Sequence, residues 1–119
     1  ITKWETAEMV KYFTNCFLAS KVTFANQMYK ICQSNNIDYD KVTEYALYDE
    51  RIGKSHLAVP GPDGDLGFGG HCFPKDLAAM INFGSGENTQ FLQSVQDFND
   101  SVRENRDWEK MSGRAVSDD

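Results

Sequence analysis

The chain has 119 residues and a net charge of −6, from 18 acidic against 12 basic side chains; 40% of it is apolar and 25% charged. That balance belongs to one globular domain of ordinary size and not to a disordered segment. The acidity argues against a nucleic-acid surface, and without a run of about 18 apolar residues no membrane-spanning helix is expected.

The N-terminal Ile1-Thr2-Lys3-Trp4-Glu5 does not read as a signal peptide, and it lacks an initiator Met. The chain is therefore read as a piece of something longer. Cys16, Cys32 and Cys72 are an odd number with no tight spacing. They suit a reducing compartment, the cytoplasm, better than a disulfide framework.

From Thr2 to about Asn35 there is no Pro or Gly. Val10, Phe13, Phe17, Phe24, Met28 and Ile31 recur at helical spacing, and a second stripe runs through Leu18, Val22, Ala25, Tyr29 and Cys32. Two stripes predict a helix covered on more than one side. A helix of about 33 residues spans roughly 50 Å, whereas a compact chain of this size is about 35 Å across. Such a helix overhangs its own domain and needs cover from a second copy or a neighbouring domain. The alternative is a kinked or shorter helix.

Asp38 reads as the cap of a second helix running to about Tyr48, with Ile37 stapled onto Val42. From Asp49 to Pro74 comes a loop that holds every proline and most of the glycines. A loop of that length in a compact domain is functional or disordered. A short helix follows from Lys75 to Phe83 and is broken at Gly84-Ser85-Gly86. A last helix runs from Asn88 to about Trp108, with Phe91, Leu92, Val95, Phe98 and Val102 on one face. The tail from Ser112 to Asp119 is expected to fray. No segment reads as a strand, so the fold class is all-α, one helical domain over 1–119.

The long loop ends in Leu66-Gly67-Phe68-Gly69-Gly70-His71-Cys72-Phe73-Pro74-Lys75-Asp76. It lacks the spacing of a phosphate-binding loop, and Cys72 stands where a dinucleotide fingerprint needs its third glycine. Asp63-Gly64-Asp65 begins like a calcium loop, but Pro74 occupies the position of the bidentate acid. No paired cysteines or histidines organise a zinc site, so no metal is expected. A nucleophilic thiol remains. Cys72 stands just before a helix start, where the dipole and free N–H groups favour a thiolate, and Lys75 adds positive charge. Gly69 and Gly70 leave room for a substrate. A buried, inert cysteine beside a tight turn is the competing reading. Lys11 and Asn15 share one helix face at i, i+4 and could polarise an oxygen; a solvated stripe without a role is the plainer alternative.

Three separated stretches carry a resemblance. They are Ala7-Glu8-Met9-Val10-Lys11-Tyr12-Phe13-Thr14-Asn15 with Cys16-Phe17-Leu18-Ala19, then Asp49-Glu50-Arg51-Ile52-Gly53, then Gly67 to Asp76. In this order and spacing the chain, from about Glu5 to Arg106, resembles the central domain of the UDP-glucose/GDP-mannose dehydrogenase family. The likeness is strongest to the branch that oxidises UDP-glucose. It implies a domain like the C-terminal one of 6-phosphogluconate dehydrogenase, serving as a homodimer centre. It also implies an NAD-dependent, two-step oxidation of a UDP-sugar through a thiohemiacetal and a thioester. GDP-mannose and UDP-N-acetylmannosamine are the alternative substrates, and a non-catalytic helical module is the rival from another class.

By the same resemblance Cys72 is the nucleophile, Lys11 stabilises oxyanion charge, Asn15 holds the reacting oxygens and Asp76 orders water or assists proton transfer. Arg51 reaches the partner subunit's substrate. His56, Leu57, Gly67, Phe68 and Gly69 wrap the nucleotide sugar, and Lys75 lies towards NAD. The chain departs from the family pattern in a longer loop at about Pro62 to Leu66 and in His56, where many relatives carry an aromatic. It also lacks the NAD-binding domain that the family places before Ile1 and the nucleotide-side domain that follows the last helix.

Overall fold

A computed structural model of the chain describes residues 3–84 and 88–110. The expected fraying after Ser112 and most of the break at Gly84-Ser85-Gly86 lie outside the described residues. Five helices follow in order: α1 (Lys3–Ser34), α2 (Tyr39–Ala46), α3 (Cys72–Phe83), α4 (Gln90–Val102) and α5 (Asp107–Lys110). Among the described residues there is no strand, and the fold is all-helical.

The first helix is unbroken and sets the long axis of a molecule measuring 46 × 33 × 25 Å. Its end follows from Asn36, which takes a left-handed φ of 57° while the Ile37 N–H returns to the Cys32 carbonyl at 2.9 Å. Asp38 caps α2 as expected, accepting from the Asp40 and Lys41 N–H groups at 3.0 and 3.4 Å. Ile37 and Val42, the expected staple, both stay exposed. The second helix stops at Ala46 and not Tyr48, because Tyr48 and Asp49 donate back only three residues and tighten the chain into turns.

Two further boundaries differ from expectation. The third helix begins at Cys72, three residues before Lys75. Pro74 sits in its first turn, where a missing N–H costs nothing, and the Lys75 N–H donates to the His71 carbonyl at 3.3 Å. The last helix ends at Val102, not at Trp108. Arg103 turns extended at φ −80°, ψ 126° because its guanidinium is drawn to the long loop. A separate short turn, α5, follows.

One core cluster gathers Cys16 and Ala19 of α1, Phe68 of the loop, Leu77 of α3 and Val95 of α4. A second gathers Ala25 and Cys32 of α1 with Tyr39 of α2 and Val59 of the loop. Between them they use the second apolar stripe of α1 and its small neighbours. Most of the other stripe is bare: Val10, Phe13, Phe17, Phe24 and Ile31 are 58, 71, 60, 64 and 45% exposed, while Met28 of the same stripe packs against the second cluster. From Glu5 to Thr14 no residue is buried, so this end of α1 projects beyond its own core.

The long loop is ordered by specific bonds. The Tyr39 hydroxyl donates to the Leu57 carbonyl at 2.6 Å, and Lys21 Nζ to the Gly53 carbonyl at 2.7 Å. No helix among the described residues is long and apolar enough to cross a membrane.

Candidate functional site

The site begins with two helical pairs. On α1, Lys11 and Asn15 are one turn apart; on α3, so are Cys72 and Asp76. The helices pack together, and Asn15 Nδ2 donates to Asp76 Oδ2 at 2.6 Å. That bond crosses 61 residues of sequence and joins the two pairs into one constellation.

Asp76 is the buried centre of it. Its carboxylate has one oxygen on Asn15; the other, Oδ1, has no hydrogen-bond partner and lies 3.7 Å from Lys75 Nζ. An unpartnered buried carboxylate oxygen is costly and marks a place where a further donor belongs. Lys75 is itself largely buried against Asp76.

Cys72 is exposed, whereas Cys16 and Cys32 are buried. Cys72 is the first residue of α3, and the His71 cap before it contributes no side-chain bond to the helix end. The three thiols therefore differ in kind. Cys16 donates to the Asp76 carbonyl at 3.8 Å, and burial, with the Asp76 charge second, pushes its pKa up to about 11. Lys11 is exposed on α1, its ammonium 5.1 Å from the Tyr12 ring centroid.

The glycine segment is held from within. Gly67 N–H donates to Asn26 Oδ1 at 2.9 Å. Asn99 grips both backbone groups of Phe68, accepting at 2.7 Å and donating at 2.9 Å. Gly70 N–H donates to Asp107 Oδ1 at 3.0 Å. Gly67 has φ +69°, and a Cβ there would run into Asn99 Oδ1. The space at Gly69 is filled by the protein itself: a Cβ would overlap Arg103 Nη2 and lie 2.7 Å from Asp107 Oδ1. That corrects the expectation of room for a substrate at this position; open space lies at Gly70.

The remaining candidates divide. His56, at φ +65°, places its ring 5.8 Å from Phe73 in the first turn of α3, and Phe73 packs edge-on against Phe68 at 6.0 Å. Leu57 serves the second core cluster and accepts the Tyr39 hydroxyl. Arg51 stands apart on the exposed loop, in a fork with Asp49 at 3.0 and 2.7 Å that holds the Asp49 carboxyl below its usual range. A cavity of about 90 Å³ opens between α3, α4 and α5, lined by Phe68, Pro74, Leu77, Gln96, Asn99, Asp100, Arg106 and Trp108. Cys72, Asn15 and Asp76 do not line it. Asn26, Asn99, Asp107 and Arg103 escaped the sequence reading. The signal was there: Asn26 and Asn99 interrupt apolar helical faces, and a buried amide must find partners.

The family model for the central domain of UDP-glucose/GDP-mannose dehydrogenases matches residues 5–101. The chain belongs to this family. It is 42% identical over 100 residues to the UDP-glucose 6-dehydrogenase AglM of Haloferax volcanii, covering 82% of this chain and 22% of that one. It is 36% identical over 104 residues to the UDP-glucose 6-dehydrogenase TuaD of Bacillus subtilis, covering 86% and 22%. A third relative, the UDP-glucose 6-dehydrogenase of Rickettsia prowazekii, is 39% identical over 82 residues, covering 69% and 18%. The chain thus spans about a fifth of the length of these curated relatives. No solved structure matches. The matched region takes in Lys11, Asn15, Cys72 and Asp76 together, so the constellation built from geometry lies inside the family's domain.

Proposed function

We propose that this chain is the cysteine-bearing dimerisation segment of a cytoplasmic, NAD-dependent sugar-nucleotide dehydrogenase that oxidises UDP-glucose to UDP-glucuronate. The observation that carries the reading is the Asn15–Asp76 bond, which puts the amide of α1 and the carboxylate of α3 one turn from an exposed cysteine.

NAD supplies the hydride acceptor for both oxidations, bound mainly by a domain outside this segment. Of the residues here Lys75, in the first turn of α3 beside Asp76, is given an auxiliary place towards it. The chain's own residues act on the aldehyde formed in between. Cys72 sulfur, as thiolate, adds to the aldehyde carbon and forms a C–S bond; the carbonyl oxygen becomes an alkoxide. The Lys11 ammonium, one turn from Asn15, opposes that negative charge, and the Asn15 amide donates to the same oxygen. Once the hydride has left, the carbon is a thioester of Cys72. Asp76 Oδ1 accepts a hydrogen bond from water and takes its proton as the oxygen attacks. The C–S bond breaks, the thiolate returns to Cys72, and the acid so formed gives its remaining proton to solvent and leaves as the carboxylate.

The bare stripe of α1 supports the homodimer, because five large apolar side chains in one row seek cover. Arg51, exposed and away from the constellation, suits a contact with the partner subunit's substrate.

The test is NADH formation by the full-length natural protein with UDP-glucose, GDP-mannose and UDP-N-acetylmannosamine. About two NADH per UDP-glucose are expected. Cys72→Ser should stop the second oxidation more than the first. The same yield with another sugar nucleotide would move the substrate. No NADH from a folded dimer would favour a non-catalytic module.

A further inference from the structure

Residues 61–66 form a small closed turn, with Gly61 N–H donating to the Asp65 carbonyl at 3.0 Å and Gly64 N–H to the Gly61 carbonyl at 2.9 Å. Its two carboxylates point at one cation. The Arg103 guanidinium, with a side chain 1% exposed, pairs with Asp63 and lies 3.5 Å from Asp65. It also donates to the Leu66 carbonyl at 3.2 Å and the Asn105 carbonyl at 2.6 Å. Asp65 in turn accepts from the Glu104 and Asn105 N–H groups at 3.2 and 2.6 Å. The Arg103 bond holds the Asp63 carboxyl below its usual range.

The clasp does not stop at the turn. Gly69 lies directly against Arg103 Nη2 and Asp107, and Asp107 accepts the Gly70 N–H. One buried cation therefore backs the segment that delivers Cys72 and ties the turn before it to the end of α4, while Asp107 ties Gly70 to the start of α5. A buried arginine with two carboxylates and two carbonyls is well paired, and its cost is justified where it selects one arrangement of a loop.

We propose that Arg103, through Asp63 and Asp65, is a positioning residue: it sets the path of Gly67–Gly70, and so the seat of the sugar nucleotide beside Cys72. The part concerning the sugar nucleotide rests on the function proposed above. The turn falls in the stretch, about Pro62 to Leu66, where the resemblance implies a longer loop than the family pattern.

The test uses the full-length natural protein with Asp63→Asn, Arg103→Lys and Arg103→Met. Asp63 is half exposed, so Asp63→Asn should fold even where Arg103→Met does not. Two readouts need no turnover: amide hydrogen exchange at residues 67–70, and the rate at which iodoacetamide alkylates Cys72. Asp63→Asn should speed exchange there about fivefold or more while the amides of α1 keep their protection, and should alter the alkylation rate. Arg103→Lys should restore part of what Arg103→Met loses. The KM for UDP-glucose should rise about fivefold in Asp63→Asn with kcat and the KM for NAD within about twofold. Unchanged exchange and alkylation in the folded variants would overturn the proposal whether or not the enzyme turns over. So would faster exchange with an unchanged KM. If the parent protein makes no NADH from any sugar nucleotide, the functional reading fails, and exchange and alkylation alone decide the clasp.

Discussion

The two faces of α1 are equally apolar in sequence and opposite in fate. The inner face carries small groups at its closest contacts, Cys16, Ala19, Ala25 and Cys32, with the amide of Asn26 among them. The outer face carries Phe13, Phe17, Phe24 and Ile31, and these belong to neither core cluster of the described residues. Small residues let α3 and the glycine segment come near the helix axis, which the Asn15–Asp76 and Asn26–Gly67 bonds require. Large residues on that side would hold the backbones apart. The comparison teaches that periodicity finds apolar stripes, while side-chain size tells which stripe belongs to the subunit's own core.

The inner face is where a single change should do most damage. Leu77→Ala removes a side chain 1% exposed from the first cluster and should cost about 2–5 kcal/mol of unfolding free energy in the full-length protein. Ala19→Leu, at a position with no exposed surface, should cost about 1–3 kcal/mol by overpacking. Both are read from denaturant midpoints. A loss under about 0.5 kcal/mol at either site would mean that the inner face is not the core.

The outer face should answer differently. Phe13→Ser combined with Phe17→Ser should leave the far-UV circular dichroism of the full-length protein unchanged and halve its mass by sedimentation at micromolar concentration. An unchanged mass would remove α1 from the proposed dimer contact.

The thiols give the smallest and sharpest contrast. In the native protein iodoacetamide should label exposed Cys72 and spare Cys16 and Cys32 until the chain unfolds. Cys16 is raised from 9.0 to about 11 and Tyr39 from 10.0 to about 12, both chiefly by burial. A folded value above the unfolded one contributes stability that is present below the unfolded value and lost as pH climbs to the folded one. Unfolding free energy should therefore be flat from about pH 7 to about pH 9 and fall between pH 9 and 12, with Cys16→Ala flattening the first part of the fall. Equal labelling of all three cysteines at neutral pH would contradict the burial difference.

Much of this was legible in the residues. The unbroken run before Asn35 predicted α1, the Asp38 cap predicted the start of α2, and the motif ending at Asp76 marked the constellation. The misses share one cause. Arg103 has ordinary helix propensity, yet two carboxylates about 40 residues earlier draw its guanidinium out and end α4 at Val102. The local pattern carries the loop through Pro74 and starts the helix at Lys75, although the first helical turn tolerates proline, and α3 starts three residues sooner. Long-range pairing and position within a turn are not written in local pattern.

The glycine segment has a consequence for charge. Glycine-rich loops that cradle phosphates do so with rows of idle backbone N–H groups. Here the donors of Gly67, Phe68 and Gly70 are spent on Asn26, Asn99 and Asp107. Those three donors are closed to an anion, and one of their partners is itself a carboxylate. A diphosphate approaching these three positions would draw its counter-charge from other donors. There the glycines provide shape and leave the electrostatics to their neighbours.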